Sequence, residues 1–340
     1  MRPVLLTANT PRSFYRGTGR IHRYRGLPPP DGYRPEDWVA STTARFGAAP
    51  VGLTTLTDGQ LLADVIGAEP EGWLGPAHVD RFGADPALLV KLLDAGQRLP
   101  VHAHPDRRFA TAHLASPYGK TEAWVIVDAP PDALVYLGFR RAVEPDELAG
   151  WVRAQQVDQM LAATNAVPVR PGDAVLVPAG LPHAIGPGVF LVEAQEPTDF
   201  SVLLEHARFG VPESAALLGL PMDLALSCVD RRGWTEDRLA GLLRERSGAR
   251  GVRPGVDRLF PPDADAFFRA ERLRSDPVSV LDQGFSVVVV LTGQGMLRYG
   301  ADPVPVAAGD TLVVPYAAGQ GELRGDVSAV RCRPPDPGTS

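Results

Sequence analysis

Short apolar runs separated by turns dominate the chain, and their spacing divides it into β-rich and helical stretches. Residues 1 to about 50 are loop-rich, with Leu27-Pro28-Pro29-Pro30-Asp31-Gly32 as the clearest break and Asp37-Trp38-Val39-Ala40-Ser41 as a short strand. Residues 58–72 and 86–97 carry helical spacing; in the second, Leu88, Leu89, Leu92 and Leu93 share one helical face. Between 99 and 140 the pattern changes to strands, with Ala123-Trp124-Val125-Ile126-Val127 and Leu134-Val135-Tyr136-Leu137-Gly138 on either side of a turn at Asp128–Asp132. Glu144-Pro145-Asp146-Glu147-Leu148 puts acids where a helix N-terminus favours them, and predicts a helix to about Arg153. A second short helix follows over 155–163. Residues 167–205 read as strands and turns, 210–250 as mostly helical with a start at Trp234-Thr235-Glu236-Asp237, and 277–333 as strands again.

The strand regions contain an internal repeat. Val169-Arg170-Pro171-Gly172-Asp173-Ala174-Val175-Leu176-Val177-Pro178 resembles Val306-Ala307-Ala308-Gly309-Asp310-Thr311-Leu312-Val313-Val314-Pro315, at a constant offset of 137 residues. Each copy follows a β-type apolar run, such as Ser286-Val287-Val288-Val289-Val290-Leu291. Two related β-modules joined by a helical segment account for this economically.

Composition narrows the class. The chain has 340 residues, enough for about two domains at ~150 residues each. Its 35 Gly and 34 Pro are spread along the chain and read as turns in a β-rich fold. A formal charge of −6 argues against binding nucleic acid through its phosphates. No apolar run approaches the ~18 residues of a membrane span, and the N-terminus turns polar too early for a signal peptide. Cys228 and Cys332 stand alone, which excludes a disulfide scaffold and a Cys-rich zinc site. The expectation is a soluble, cytoplasmic protein. Of its 34 basic residues only Lys91 and Lys120 are lysine, a bias that fits GC-rich codon usage.

Three segments carry chemistry. In Val101-His102-Ala103-His104-Pro105, alternate strand residues point to one face, so two imidazoles can meet one ion. Gly119-Lys120-Thr121-Glu122-Ala123-Trp124 brings a lysine and a carboxylate to the mouth of a strand. Gly172-Asp173-Ala174-Val175-Leu176-Val177-Pro178-Ala179-Gly180-Leu181-Pro182-His183 has the form Gly-x5-Pro-x-Gly-x2-His, which holds a histidine at a barrel rim. An HxH by itself is often an ordinary strand pair; its occurrence before the second motif in one β-rich region points to a metal site. The candidate ligands are His102, His104, Glu122 and His183. This set suits Zn, Fe, Mn, Co or Ni and leaves positions open for catalysis. His22, His78, His113 and His206 lack such a context and read as ordinary histidines. Counting 137 residues from His183 reaches Gln320, so the second module has kept the turn and lost the imidazole.

The third segment resembles the second signature motif of the cupin superfamily, small jelly-roll β-barrels. The full series is narrower: Leu99 to Asp106, Gly119 to Trp124, Val135-Tyr136-Leu137-Gly138-Phe139, Val177 to Gly186 and Glu193-Ala194-Gln195 resemble type I mannose-6-phosphate isomerases in order and spacing. Pro3-Val4-Leu5-Leu6 and Glu36-Asp37-Trp38 fit more weakly. The resemblance implies a mainly β fold of two cupin barrels with a helical insert. The modules expected are a catalytic one over 1–205, a helical segment over 206–275 and a degenerate cupin over 276–340.

It also implies zinc-dependent interconversion of an aldose and a ketose, with a small-molecule sugar or sugar phosphate as partner; composition argues against nucleic acid and membrane, and leaves monomer or homo-oligomer open. The family's first ligand is usually Gln in Leu-Ser-x-Gln-x-His-Pro; here it is His102. The family's serine and arginine at the phosphate end fall on Pro100 and Leu203. Losing a hydroxyl and a guanidinium weakens the case for a phosphorylated sugar. Arg107, Arg108 and Arg208 read as solvated arginines that a relocated phosphate site would have to recruit. Lys120 is a candidate for polarising the carbonyl or moving a proton, and the resemblance puts Glu193 and Asp199 near the pocket as proton carriers. Two other readings remain open: an iron cupin oxygenase, which uses the same ligand types, and a sugar-binding relative without turnover.

Overall fold

The computed structural model describes residues 1–244, 250–275, 278–300 and 302–339. Three antiparallel sheets organise it. A six-stranded sheet runs, edge to edge, through Leu243–Arg244, Ala174–Val177, Glu122–Asp128, Phe190–Gln195, Leu89–Asp94 and Glu36–Val39. A five-stranded sheet orders Val202–Leu203, His102–Ala103, His183–Ile185, Leu134–Phe139 and Thr164–Pro168. Between them lies an apolar core that includes Trp124, Ile126, Val135, Leu137, Val175, Ile185 and Leu191. Together these two sheets make the first jelly-roll barrel. A nine-stranded sheet makes the second, from Val4–Leu5, Arg250–Arg253, Val256–Arg258, Arg269–Arg274, Val278–Leu281, Ser286–Tyr299, Asp302–Ala307, Thr311–Val314 and Gly321–Arg333. The protein is mainly β, a pair of cupin barrels. Among the described residues no helix is long and apolar enough to cross a membrane.

The repeat is carried in hydrogen bonds as well as in letters. Gly172 and Gly309 adopt φ 98° and 95°, a region open to glycine at little cost. The amides of Arg170 and Ala307 donate to Asp173 Oδ2 and Asp310 Oδ2, both at 2.8 Å. The carbonyls of Asp173 and Asp310 accept from Ile126 and Val290, both at 2.9 Å. The strands beyond keep register: Trp124 pairs with Val175 and Glu193, and Val288 pairs with Leu312 and Arg331.

Two expectations need correction. Residues 86–97 contain the strand Leu89–Asp94, not a helix. The strand sits between two others and every residue is buried, so apolar positions on both faces mimic helical spacing. In 210–250 the helices are short, Glu213–Ala216, Met222–Leu226 and Glu236–Ala240, and residues 245–249 lie outside the described set. Within 206–275, Val256–Arg258 and Arg269–Arg274 are strands of the second barrel. The helix expected from Glu144 onward is Pro145–Arg153, and its successor is Val157–Ala163.

Candidate metal centre and active-site cavity

The five-stranded sheet of the first barrel brings His102 and the neighbouring His104 against His183, some eighty residues further along the chain. His102 pairs directly with His183 across the five-stranded sheet. The turn before His183 depends on Gly180, whose φ of 85° would strain any residue with a Cβ. One nitrogen from each ring lies within 4.8 Å of the others, and all three side chains are buried.

Each Nδ1 meets a backbone carbonyl: His102 that of Pro100 at 2.8 Å, His104 that of Phe200 at 2.7 Å, and His183 that of Leu181 at 2.7 Å. A carbonyl accepts only, so each Nδ1 carries the proton and each Nε2 presents a lone pair. Burial, with neighbouring imidazoles, pushes His102 well below the usual histidine range; burial and the Lys120 ammonium bring His104 down to about 3.

Glu122 completes the cluster from the six-stranded sheet. Its Oε2 is 3.0 Å from His104 Nε2 and 3.1 Å from Lys120 Nζ, and its Oε1 is 3.3 Å from His183 Nε2. Trp124 Nε1 donates to Oε1 at 2.9 Å and orients the carboxylate. Burial works to raise Glu122, but Lys120 and His104 outweigh it and hold it well below the usual carboxylate range. His183 Nε2 and Glu122 Oε2 are buried without a hydrogen-bond partner. Orphaned polar atoms of this kind are rare in folded proteins. Three converging imidazoles and one carboxylate fit a divalent metal.

A cavity of about 370 Å³ opens beside the cluster and is lined by His102, Lys120, Glu122, Glu193, Asp199 and Lys91 among others. The structure therefore gathers the four ligand candidates and the three catalytic candidates at one place. Glu193 is buried, and burial together with the Glu122 charge raises it above the ordinary carboxylate value. Asp199 is partly exposed, 3.6 Å from Lys91 and 3.8 Å from Arg45. Its loop is tied down by Gln195, which donates to Thr198 O at 2.5 Å, and by Thr198, which donates to Gly119 O at 2.7 Å.

Lys91 and Glu36 were not among the sequence candidates. Lys91 is fully buried, 3.7 Å from Glu36, 3.9 Å from Glu193 and 4.4 Å from the centre of the Trp38 ring. Tyr15 and Trp38 donate to Glu36 at 2.5 and 2.6 Å. One signal was available: Lys91 and Lys120 are the chain's two lysines, and both line this cavity. The remaining histidines lie elsewhere. His22, His78 and His206 each meet a backbone carbonyl, of Pro28, Asp85 and Val211, and His113 meets Phe109 edge-on.

Paired jelly-roll barrels in common register, one enclosing a metal-competent donor set under an open cavity, define a two-barrel cupin of the enzyme type. No protein-family model matches the chain. It is 30% identical over 335 residues to mannose-6-phosphate isomerase of Streptococcus mutans, covering 96% of this chain and 97% of that one. It is 29% identical over 258 residues to mannose-6-phosphate isomerase ManA of Bacillus subtilis, covering 74% and 75%. The crystal structure of the Bacillus subtilis mannose 6-phosphate isomerase superimposes with a TM-score of 0.77 at 20% identity, over 98% of this chain and 100% of that one. The chain belongs to the mannose-6-phosphate isomerase family of sugar isomerases.

Proposed function

We propose that this protein is a cytoplasmic, metal-dependent aldose–ketose isomerase that interconverts mannose 6-phosphate, or a related sugar, with its 2-ketose through a cis-enediol. The observation that carries this reading is the cluster of His102, His104, His183 and Glu122 with two lone-pair atoms unpartnered beside a cavity that also holds Lys120, Glu193 and Asp199. The three imidazoles and Glu122 would hold the ion, with zinc as the first choice and Fe, Mn, Co or Ni as alternatives. A divalent ion there supplies Lewis acidity towards the negative charge that develops on the sugar oxygen.

The chain's own groups do the rest. Lys120 stands at the ligand shell and donates to a sugar oxygen at C1 or C2. A proton must pass between those carbons, and Glu193 and Asp199 are the carboxylates placed to carry it. Lys91 and Arg45 fix Asp199 from behind.

The test is exchange. The zinc-loaded protein is mixed in D2O with D-mannose and with mannose 6-phosphate, and NMR follows loss of the C2 proton and growth of the ketose. Exchange that His183→Ala abolishes supports the isomerase. Metal-retaining protein that consumes oxygen, or that exchanges nothing, removes it.

A further inference from the structure

A sugar phosphate brings a dianion into the cavity, and a dianion needs cationic donors. The two positions at which the sequence resemblance expects such donors supply none, because Pro100 and Leu203 line the cavity with apolar side chains. The arginines expected to be recruited instead, Arg107, Arg108 and Arg208, do not line it. Arg107 holds Glu196 at 2.5 Å, and Arg208 faces Glu205 at 3.6 Å.

Four cationic side chains do line the cavity among the described residues: Lys120, Lys91, Arg45 and Arg12. Their contacts set them in order from the ligand cluster outwards. Lys120 stands at the cluster, 3.1 Å from Glu122. Lys91 lies 3.9 Å from Glu193 and 3.6 Å from Asp199, Asp199 lies 3.8 Å from Arg45, and Arg45 Nη1 donates to the Arg12 carbonyl. Side-chain exposure climbs along the series, from 3% at Lys91 through 25% at Arg45 to 61% at Arg12.

The inner two cations are committed. Lys120 serves Glu122, and Lys91 is enclosed by three carboxylates, Glu36, Glu193 and Asp199. The outer two have donors to spare. Arg45 packs over the Trp38 ring at 5.7 Å, which holds its guanidinium plane, and its Nη2 meets no acceptor among the described residues. Its approach to Asp199 is longer than a hydrogen bond. Arg12 pairs with Asp31 where both are exposed, and a pair in water contributes little and yields to a dianion. Ser13 lies on the same lining, and its hydroxyl has no partner among the described residues.

We propose that Arg45 and Arg12, with the Ser13 hydroxyl, form the subsite for the phosphate of a sugar 6-phosphate, in place of the two donors lost at Pro100 and Leu203. This deepens the isomerase reading and rests on it. The carbonyl carbons of the sugar lie at the ligand cluster and the phosphate at its other end, so the phosphate belongs to the outer members of the series. There it keeps part of its water while two guanidiniums offer forked donors, which avoids the full cost of burying a charge. Asp199 keeps Lys91 at 3.6 Å when Arg45 serves the phosphate.

The full-length, zinc-loaded protein is compared with Arg45→Ala, Arg12→Ala and the double variant. Calorimetry gives the Kd of D-mannitol 6-phosphate, which has no carbonyl and cannot react. Ketose yield gives kcat/KM for mannose 6-phosphate and for D-mannose. Each single variant should raise the Kd about tenfold and the double variant about 100-fold, the range of hydrogen bonds to a charged group. The ratio of kcat/KM for mannose 6-phosphate to that for D-mannose should fall by the same factors, whereas a merely structural role would lower both and leave the ratio alone. A Kd or a ratio that stays within about twofold in the double variant overturns the proposal and leaves the isomerase reading standing. Protein that holds zinc yet turns over neither sugar removes the isomerase reading, and the Kd series alone then decides the subsite. Arg12→Ala, at an exposed position, decides by its Kd if Arg45→Ala does not fold.

Discussion

Where Glu193 faces Lys91 across two strands of the first barrel, the second barrel has Arg331 facing Glu271. The positions correspond, because Glu193 pairs with Trp124 and Arg331 with Val288, each the partner of a matched repeat residue. The charges are exchanged. Glu122, which points into the histidine cluster, corresponds to Ser286, which accepts from Arg331 Nε at 3.1 Å. Arg331 also reaches Glu271 at 3.2 Å and Asp282 at 2.7 Å. The first barrel's interior opens to a cavity beside the histidine cluster, whereas the matching positions of the second barrel are taken up by ion pairs between its own residues. One scaffold therefore carries a candidate site in one barrel and an arginine–carboxylate cluster in the other.

The sharpest way to break this comparison is at the repeat's histidine position. His183→Ala should cut turnover about a thousandfold and release metal, as loss of a ligand does. Gln320, exposed at the matching offset, should tolerate alanine within about twofold. Equal losses in the two variants would mean that the second barrel is not a structural half.

Glu193 and Arg331 should separate activity from stability. Glu193→Gln should lower kcat about 100-fold, the range of a positioned acid or base, with little change in the urea midpoint. Arg331→Met removes one of the three arginines around Glu271 and Asp282, leaving Arg253 and Arg333 in place, and should cost about 1–3 kcal/mol in urea unfolding. The protein that stays folded should keep its kcat.

Acid titration compares the barrels directly. Burial works to raise Glu36, yet Lys91 and the Tyr15 and Trp38 donors outweigh it and bring it to about 2. Asp282 reaches about 2 in the same manner, burial being outweighed by Arg333 and Arg331. A carboxyl held below its unfolded value adds stability that is complete above the unfolded value and lost as pH falls through the folded one. With ordinary values of 4.5 and 3.8, the loss should span pH 4.5 to about 2. Urea midpoints measured across that range should fall less steeply for Glu36→Gln and for Asp282→Asn. An unchanged slope would show that the carboxyl is not held down.

The smallest effect is expected at the shared turn. Gly172→Ala should cost about 1–2 kcal/mol for a Cβ at positive φ. Gly309→Ala should cost more, because its Cβ would lie 1.9 Å from the Tyr24 carbonyl oxygen. Melting temperatures of the two variants rank them.

The cluster was legible because its residues sit in local motifs: an HxH, a Glu two residues after a Lys, and a Gly-x5-Pro-x-Gly-x2-His turn. Each motif reports a strand end or a tight turn, and such features are set by neighbours in sequence. The support behind the cluster was not legible. Lys91 and Glu36 meet across strands more than fifty residues apart, and Tyr15 reaches Glu36 from a loop 21 residues before it; no local spacing encodes either contact. The strand Leu89–Asp94 was hidden for the same reason. With both faces buried it lacks the alternation that marks a half-exposed strand. The repeat, by contrast, was readable in letters, since a positive-φ glycine and an aspartate that caps its own turn allow few substitutes.

One pairing has a consequence for how the molecule is made. Val4–Leu5 joins the second barrel by pairing with Leu312 and Val313, while Leu243–Arg244 closes the edge of the first barrel's sheet. The start of the chain thus belongs to the barrel that is synthesised last. At ~5–20 residues per second, the ribosome needs roughly 15–60 s to deliver its partner strand. During that interval every strand of the first barrel emerges, Leu243–Arg244 included, while Val4–Leu5 has no partner in that barrel's sheets. The second barrel is completed by a strand made long before its partner, so it is the later of the two to gain all its strands.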